Sequence, residues 1–218
     1  MWIAKFPSRS DVVDKGLWEF IAFKLSGLAG INMSESMVQQ IAGRHHTFIT
    51  KRFDRILDKR LHYSSAMTMT GNSEEAIRDN PPSYLEIAEF IQFSGSDVEK
   101  DLHQLWRRIV FNIAISNTDD HLRNHGFILD KAGWHLSPAF DVNPSIDKDG
   151  LALNIDMENN ALDFELARSV GELFKLKISG MDEIMAEVMS AVNNWKSVAG
   201  SAGILSSEIQ IMEPAFRV

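Results

Sequence analysis

The sequence predicts an α+β fold, a small mixed lobe followed by a larger helical one, and three observations carry that expectation. β-prone runs at Trp2–Phe6 and Phe48–Thr50 fall in the first third of the chain. Apolar residues at helical spacing dominate from Tyr84 onward. Between them lies a breaker-rich stretch, Thr70 to Ser83, with Gly71, Asn72, Pro81 and Pro82. The lobe boundary is therefore expected near residue 80, giving lobes over 1–80 and 81–218.

Taken in order, Trp2 to Phe6 reads as a strand ended by Pro7. Trp18, Ile21, Ala22, Leu25, Leu28 and Ala29 share a helical face, so a helix is expected over Val13–Ala29 with Gly30 as its stop and Glu19 inside it. Phe48–Thr50 runs on into Lys51-Arg52-Phe53-Asp54, a strand leaving its sheet through a charged connection. His45 and His46 precede it with no partner legible in sequence and are expected to be exposed. Beyond the boundary, helices are expected over Tyr84–Phe93 and Asp97–Ile115, the second with Leu102, Leu105, Trp106, Ile109, Val110 and Ile113 as its stripe. Two short apolar runs, Gly126–Leu129 and Trp134–Leu136, suggest a hairpin. Further helices are expected over Leu162–Leu176 and Met181–Trp195, the last with Asp182 and Glu183 in its first turn and a methionine-rich face turned to the core.

Composition bounds the function. A chain of 218 residues, 44% apolar and 24% charged, can bury a core. No run approaches the roughly 18 apolar residues of a membrane span, and the start, MWIAKFPSRS, lacks the build of a signal peptide, so a cytoplasmic protein is expected. With no cysteine, disulfides, thiolate metal sites and cysteine nucleophiles are excluded. A net charge of −8 argues against broad nucleic-acid binding, and the local basic patch of Lys51, Arg52, Arg55, Lys59 and Arg60 reads as a solvated edge.

The chemistry concentrates between Asn117 and Ser145. Asp119 is followed five positions later by Asn124, then by the hairpin, then by Asp141. Phosphoryl transfer needs a carboxylate to take or orient the nucleophile's proton and hard oxygen ligands for magnesium on the phosphates, and protein kinases supply them in this order. Lys5 at a strand end and Glu19 in the next helix form a second kinase-like pair, the lysine for phosphate oxygens and the glutamate to hold it. Asp120 competes with Asp119 for the catalytic role, and the five-residue interval favours Asp119. His121 and His125, four apart, with the adjacent acids would instead suit a transition metal if the segment were helical, which Asn117, Asn124 and Gly126 argue against.

With those residues in place, the chain resembles the C-terminal, kinase-bearing part of HipA-family serine/threonine kinases, the toxins of bacterial toxin–antitoxin pairs. The resemblance rests on IAKFPS at Ile3–Ser8, KRFDR at Lys51–Arg55, NTDDHLRNHGF at Asn117–Phe127 and LSPAFDVNPS at Leu136–Ser145. It implies a protein-kinase-like fold with a truncated small mixed lobe and a larger all-α lobe. It also implies Asp119 as catalytic aspartate, Asn124 and Asp141 as Mg2+ ligands, and Lys5, held by Glu19, on the phosphates of ATP. Lys51, Arg52 and Phe53 would meet the adenine, and His121 would approach the phosphates. The implied partners are a protein substrate, such as an aminoacyl-tRNA synthetase, and a HipB-like DNA-binding antitoxin. Kinases of this family carry a nucleotide-covering loop upstream of the lysine strand, whereas four residues precede Lys5 here. Low activity in isolation, an exposed sheet edge at Trp2–Phe6 and a separate N-terminal subunit are therefore expected. The alternatives are a non-catalytic nucleotide- or protein-binding module and a metal-dependent phosphohydrolase using His121 and His125.

Overall fold

The computed structural model describes residues 1–41, 43–57 and 59–218. The chain opens with β1 (Trp2–Lys5) and helix α1 (Lys15–Leu28). The helix starts where Asp14 accepts a hydrogen bond from the Leu17 amide at 3.2 Å and stops before Gly30, whose φ of 73° suits a residue without a Cβ. Strands β2 (Ser36–Gln39) and β3 (Thr47–Lys51) complete an antiparallel sheet in the order β1-β3-β2, which leaves β1 on an edge. Gly16 makes the helix–sheet packing possible, because a Cβ there would lie 2.3 Å from the His46 carbonyl oxygen.

A short ribbon of β4 (Arg55–Ile56) and β5 (Lys59–Arg60) leads to β6 (His62–Ser65), α2 (Ala66–Met69) and α3 (Ala76–Asp79). Helix α4 (Tyr84–Ser94) begins at a capping box formed by Ser83 and Glu86. Helix α5 (Val98–Ala114) is the central element: Leu102, Leu105, Trp106, Ile109, Val110 and Ile113 are all fully buried. Each aliphatic member of that stripe contributes roughly 1.5–3 kcal/mol relative to exposure. The hairpin of β7 (Gly126–Leu129) and β8 (Trp134–Leu136) follows, and β6 pairs with β7 to make a second three-stranded sheet, β6-β7-β8.

Helices α6 (Phe164–Ser169), α7 (Ile178–Val192), α8 (Trp195–Ala202) and α9 (Ser206–Met212) complete the chain. The helix expected over Leu162–Leu176 is shorter than its pattern suggests. It breaks after Ser169 into a 3-10 turn, because Gly171 is packed against the Met181 side chain and Lys175 takes a left-handed φ of 59°. Helix α7 starts at Ile178, so Asp182 and Glu183 lie beyond its first turn, while Met181, Ile184, Val188 and Val192 face the core as expected. One apolar core runs from α1 to the C-terminal segment, where Trp18 packs on Trp195 and Phe216 and the last two stack at 4.1 Å. No helix among the described residues is long and apolar enough to cross a membrane.

Candidate active site

Helix α5 delivers the chain into the acidic loop, and side chains of the helix itself hold that loop. The Asn117 amide returns to the Asn112 carbonyl at 2.8 Å, and the Asn117 side chain donates to Asn112 Oδ1 at 3.0 Å. Asp120 is 3% exposed and serves as the anchor: its Oδ2 accepts from Tyr84 Oη (2.6 Å), Asn112 Nδ2 (2.7 Å) and His125 Nε2 (2.8 Å). Burial on its own would raise this carboxyl, but His125, Tyr84 and Arg108 outweigh it and hold the pKa below the usual range. Burial and the Asp120 charge push the Tyr84 hydroxyl well above 10. The neighbouring Asp119 has an exposed side chain, and only its carbonyl is engaged, accepting from Asn124 Nδ2 at 3.1 Å. Two adjacent aspartates thus have opposite environments: one is built into the scaffold and the other faces outward.

On the far side of the hairpin, Asp141 sits with φ at 58°, a left-handed conformation that Asp tolerates better than most residues. Its Oδ1 accepts from Lys5 Nζ at 2.5 Å and from Asn143 Nδ2 at 3.0 Å. Lys5 Nζ also reaches Glu19 Oε1 at 2.5 Å. Burial alone would lower the Lys5 ammonium, yet the two carboxylates raise it above its ordinary value. Glu19 is buried in α1, and that burial lifts its carboxyl to about 7 against the opposing pull of Lys5. Tertiary folding thus joins Lys5, Glu19 and Asp141. The polar chain continues, since the Asn143 amide donates to Asn117 Oδ1 at 3.4 Å, linking Asp141 to the loop anchored by Asp120.

The connection that leaves β3 is more occupied than its sequence suggests. The Lys51 amide donates to the Glu35 carbonyl, the Arg52 amide to the Met1 carbonyl, and the Lys51 carbonyl accepts from the Ser34 hydroxyl. The Lys51 and Arg52 side chains pair with Glu35 and Asp54, so two charges of the basic patch are neutralised locally. Phe53 packs its ring between Tyr63 and Phe140, bringing the connection onto the segment that carries Asp141. His121 is half-buried, with a buried Nδ1 that makes no hydrogen bond to protein atoms among the described residues. His46 is not the unpartnered histidine expected: its Nδ1 lies 2.6 Å from Asp14 Oδ2, a contact 32 positions away in sequence and so invisible to local reading.

The oxygens offered by Asn124 and Asp141 are of the hard type that magnesium takes. Asn124 commits its amide nitrogen to the Asp119 carbonyl, which leaves its Oδ1 as a hard oxygen, and Asp141 adds a carboxylate; two such ligands with waters suit Mg2+. His125 is buried and spent on Asp120, and a 3-10 turn at Leu122–Asn124 replaces the helix that would have aligned it with His121. Among the described residues no group of three or more His, Cys, Asp or Glu side chains could hold a metal ion, so the His121–His125 metal reading lacks its ligand set.

Sequence reasoning missed Tyr84, Arg108 and Asn112. The last two carried a signal: they stand four apart in the helix whose apolar stripe forms the centre of the core, and both are buried. Tyr84 carried none.

A search of curated protein sequences finds no match. Among solved structures, HipA of Shewanella oneidensis MR-1, determined with HipB and its operator DNA, superposes with a TM-score of 0.78 at 17% identity, over 98% of this chain and 55% of that one. This chain therefore spans little more than half the length of that relative. The Helicobacter pylori proinflammatory kinase CtkA superposes with a TM-score of 0.58 at 11% identity, over 96% of this chain and 91% of that one. Both likenesses establish a fold shared with HipA and with a kinase. The family model of the HipA-like C-terminal domain matches residues 1–195, and the chain belongs to that family.

Proposed function

We propose that this chain is the catalytic portion of a HipA-type serine/threonine protein kinase that uses magnesium and ATP, with the chemistry carried by Asp119, Asn124, Asp141 and Lys5. The observation that carries the reading is the contact of Lys5 with both Glu19 and Asp141 at 2.5 Å. A lysine paired with a helix glutamate, next to a carboxylate able to hold a metal, brings together the groups that kinases use for phosphate gripping and metal binding.

In this reading Asn124 Oδ1 and the Asp141 carboxylate hold Mg2+, which supplies charge neutralisation on the phosphates. Glu19 holds Lys5 in place, and Lys5 donates to phosphate oxygens. Asp119, with its exposed side chain, accepts the proton of a serine or threonine hydroxyl. Asp120 keeps that loop in register from below, with His121 on the phosphate side. Phe53 and the backbone of Lys51 and Arg52 border the base. The phosphoacceptor is a protein hydroxyl, and a HipB-like protein is the proposed partner, as it is for the Shewanella HipA.

The test is transfer of the ATP γ-phosphate to a serine- or threonine-containing protein, with the chain alone and with an upstream HipA-type segment supplied. Transfer that disappears in Asp119→Ala supports the reading. Saturable Mg-ATP binding with no transfer in either arm would reduce the chain to a nucleotide-binding module.

A further inference from the structure

Arg108 is 4% exposed, and its guanidinium lies wholly inside the protein at the middle of α5. One nitrogen is accounted for: Nη2 donates to the Ser137 carbonyl at 2.6 Å. Nε and Nη1 are buried and make no hydrogen bond to protein atoms among the described residues. A buried donor left without an acceptor loses its hydration with nothing in exchange, so folded proteins supply a partner. Burial lowers the Arg108 pKa to about 10, so the group is still charged at neutral pH.

The acceptor side is next to it. Arg108, Asn112, Asp120, Asn124, His125 and Phe140 line a cavity of about 10 Å3. That is close to the room one water needs, and a buried water needs two to four polar partners. All three hydrogen bonds to Asp120 fall on Oδ2, which leaves Oδ1 to accept another. With its Nε2 facing Asp120, His125 also keeps a buried Nδ1 that makes no hydrogen bond to protein atoms among the described residues. Charge selects the occupant: the Arg108 cation and the Asp120 anion cancel, so a neutral molecule suits the cavity and an anion does not.

We propose that this cavity holds a single ordered water that accepts from Arg108 and donates to Asp120, and that Arg108 is through it a positioning residue for the Asp119–Asn124 loop. Arg108 then ties together the two stretches that flank the hairpin: directly the Ser137 stretch leading to Asp141, and by way of the water the loop leading to Asn124. The water lets a rigid guanidinium meet a carboxylate already saturated on one oxygen. This linkage is independent of whether the chain transfers phosphate.

The test begins with the unaltered chain. A high-resolution crystal structure, with and without a sodium bromide soak, is expected to show one peak within hydrogen-bond reach of Arg108 and Asp120, with no anomalous bromide signal there. No peak, a bromide peak, or direct Arg108–Asp120 contact would overturn the water. Hydrogen exchange then tests the positioning role. Arg108→Met is expected to raise exchange at the backbone amides of residues 120–124 several-fold while amides in α7 stay unchanged, and Arg108→Lys is expected to restore most of the protection. Equal exchange in all three proteins, or loss of protection throughout the chain, overturns it.

Discussion

Lys5 and Asp141, 136 positions apart, meet at 2.5 Å, the lysine at the end of β1 and the aspartate beyond the β7–β8 hairpin. That contact ties the first strand of the small sheet to the segment that follows the hairpin. Lys5→Met should therefore weaken Mg-ATP binding roughly tenfold to a hundredfold, the worth of one hydrogen bond to a charged group at about 1.5–3 kcal/mol. Isothermal titration of both proteins measures it, and unchanged affinity would remove Lys5 from the site.

Asp119 and Asp120 separate activity from stability. Asp119→Ala should abolish phosphate transfer while shifting unfolding free energy by no more than about 0.5 kcal/mol, as an exposed side chain does. Asp120→Ala removes a buried carboxylate that holds three donors and should cost about 3–5 kcal/mol. Urea denaturation beside a transfer assay distinguishes the two, and similar stability losses in both would contradict the assignment.

Tyr84→Phe deletes one of those donors without changing the ring. An expected loss of roughly 1.5–3 kcal/mol follows from breaking a buried hydrogen bond to a charged acceptor. A double-mutant cycle with Asp120→Asn should show coupling, and additive effects would mean that the 2.6 Å contact contributes nothing of its own.

Glu19 gives a pH dependence of unusual sign. Burial raises its carboxyl from an ordinary 4.5 to about 7, so the folded protein holds that proton more tightly than the unfolded chain does. Its contribution to stability is complete below pH 4.5 and is lost as pH rises through about 7. Thermal unfolding of the nucleotide-free protein should show that decline, and Glu19→Gln should flatten it. Affinity for Mg-ATP should move oppositely over the same window, because the Glu19 charge that holds Lys5 appears only as the proton leaves. A stability profile identical in wild type and Glu19→Gln would refute the shift.

Gly126, at the start of β7, has no room for a side chain: a Cβ would fall 2.3 Å from the Tyr63 ring on β6. Gly126→Ala should cost about 1–3 kcal/mol through overpacking. The double variant Gly126→Ala/Tyr63→Ser should recover part of that loss, and chemical denaturation of the single and double variants tests the suppression.

The order of chemistry along the chain was legible without a structure. The helical stripe of α5, the strand bearing Lys5, the helix bearing Glu19 and the Asp119–Asn124–hairpin–Asp141 succession depend on local periodicity and spacing, which a chain displays in one dimension. What only tertiary structure decided was which of these groups meet and which are spent on the scaffold. The interval to Asn124 favours Asp119, but nothing in the neighbouring residues reveals that Asp120 is buried on His125, or that His46 has Asp14 as its partner. Those assignments depend on burial and on partners as far away as Tyr84 and Asn112, and the cost of leaving a buried charge unpaired makes them obligatory once the core has closed. Sequence alone thus displayed the candidate residues in their order, while packing determined which aspartate faces outward and which holds the loop.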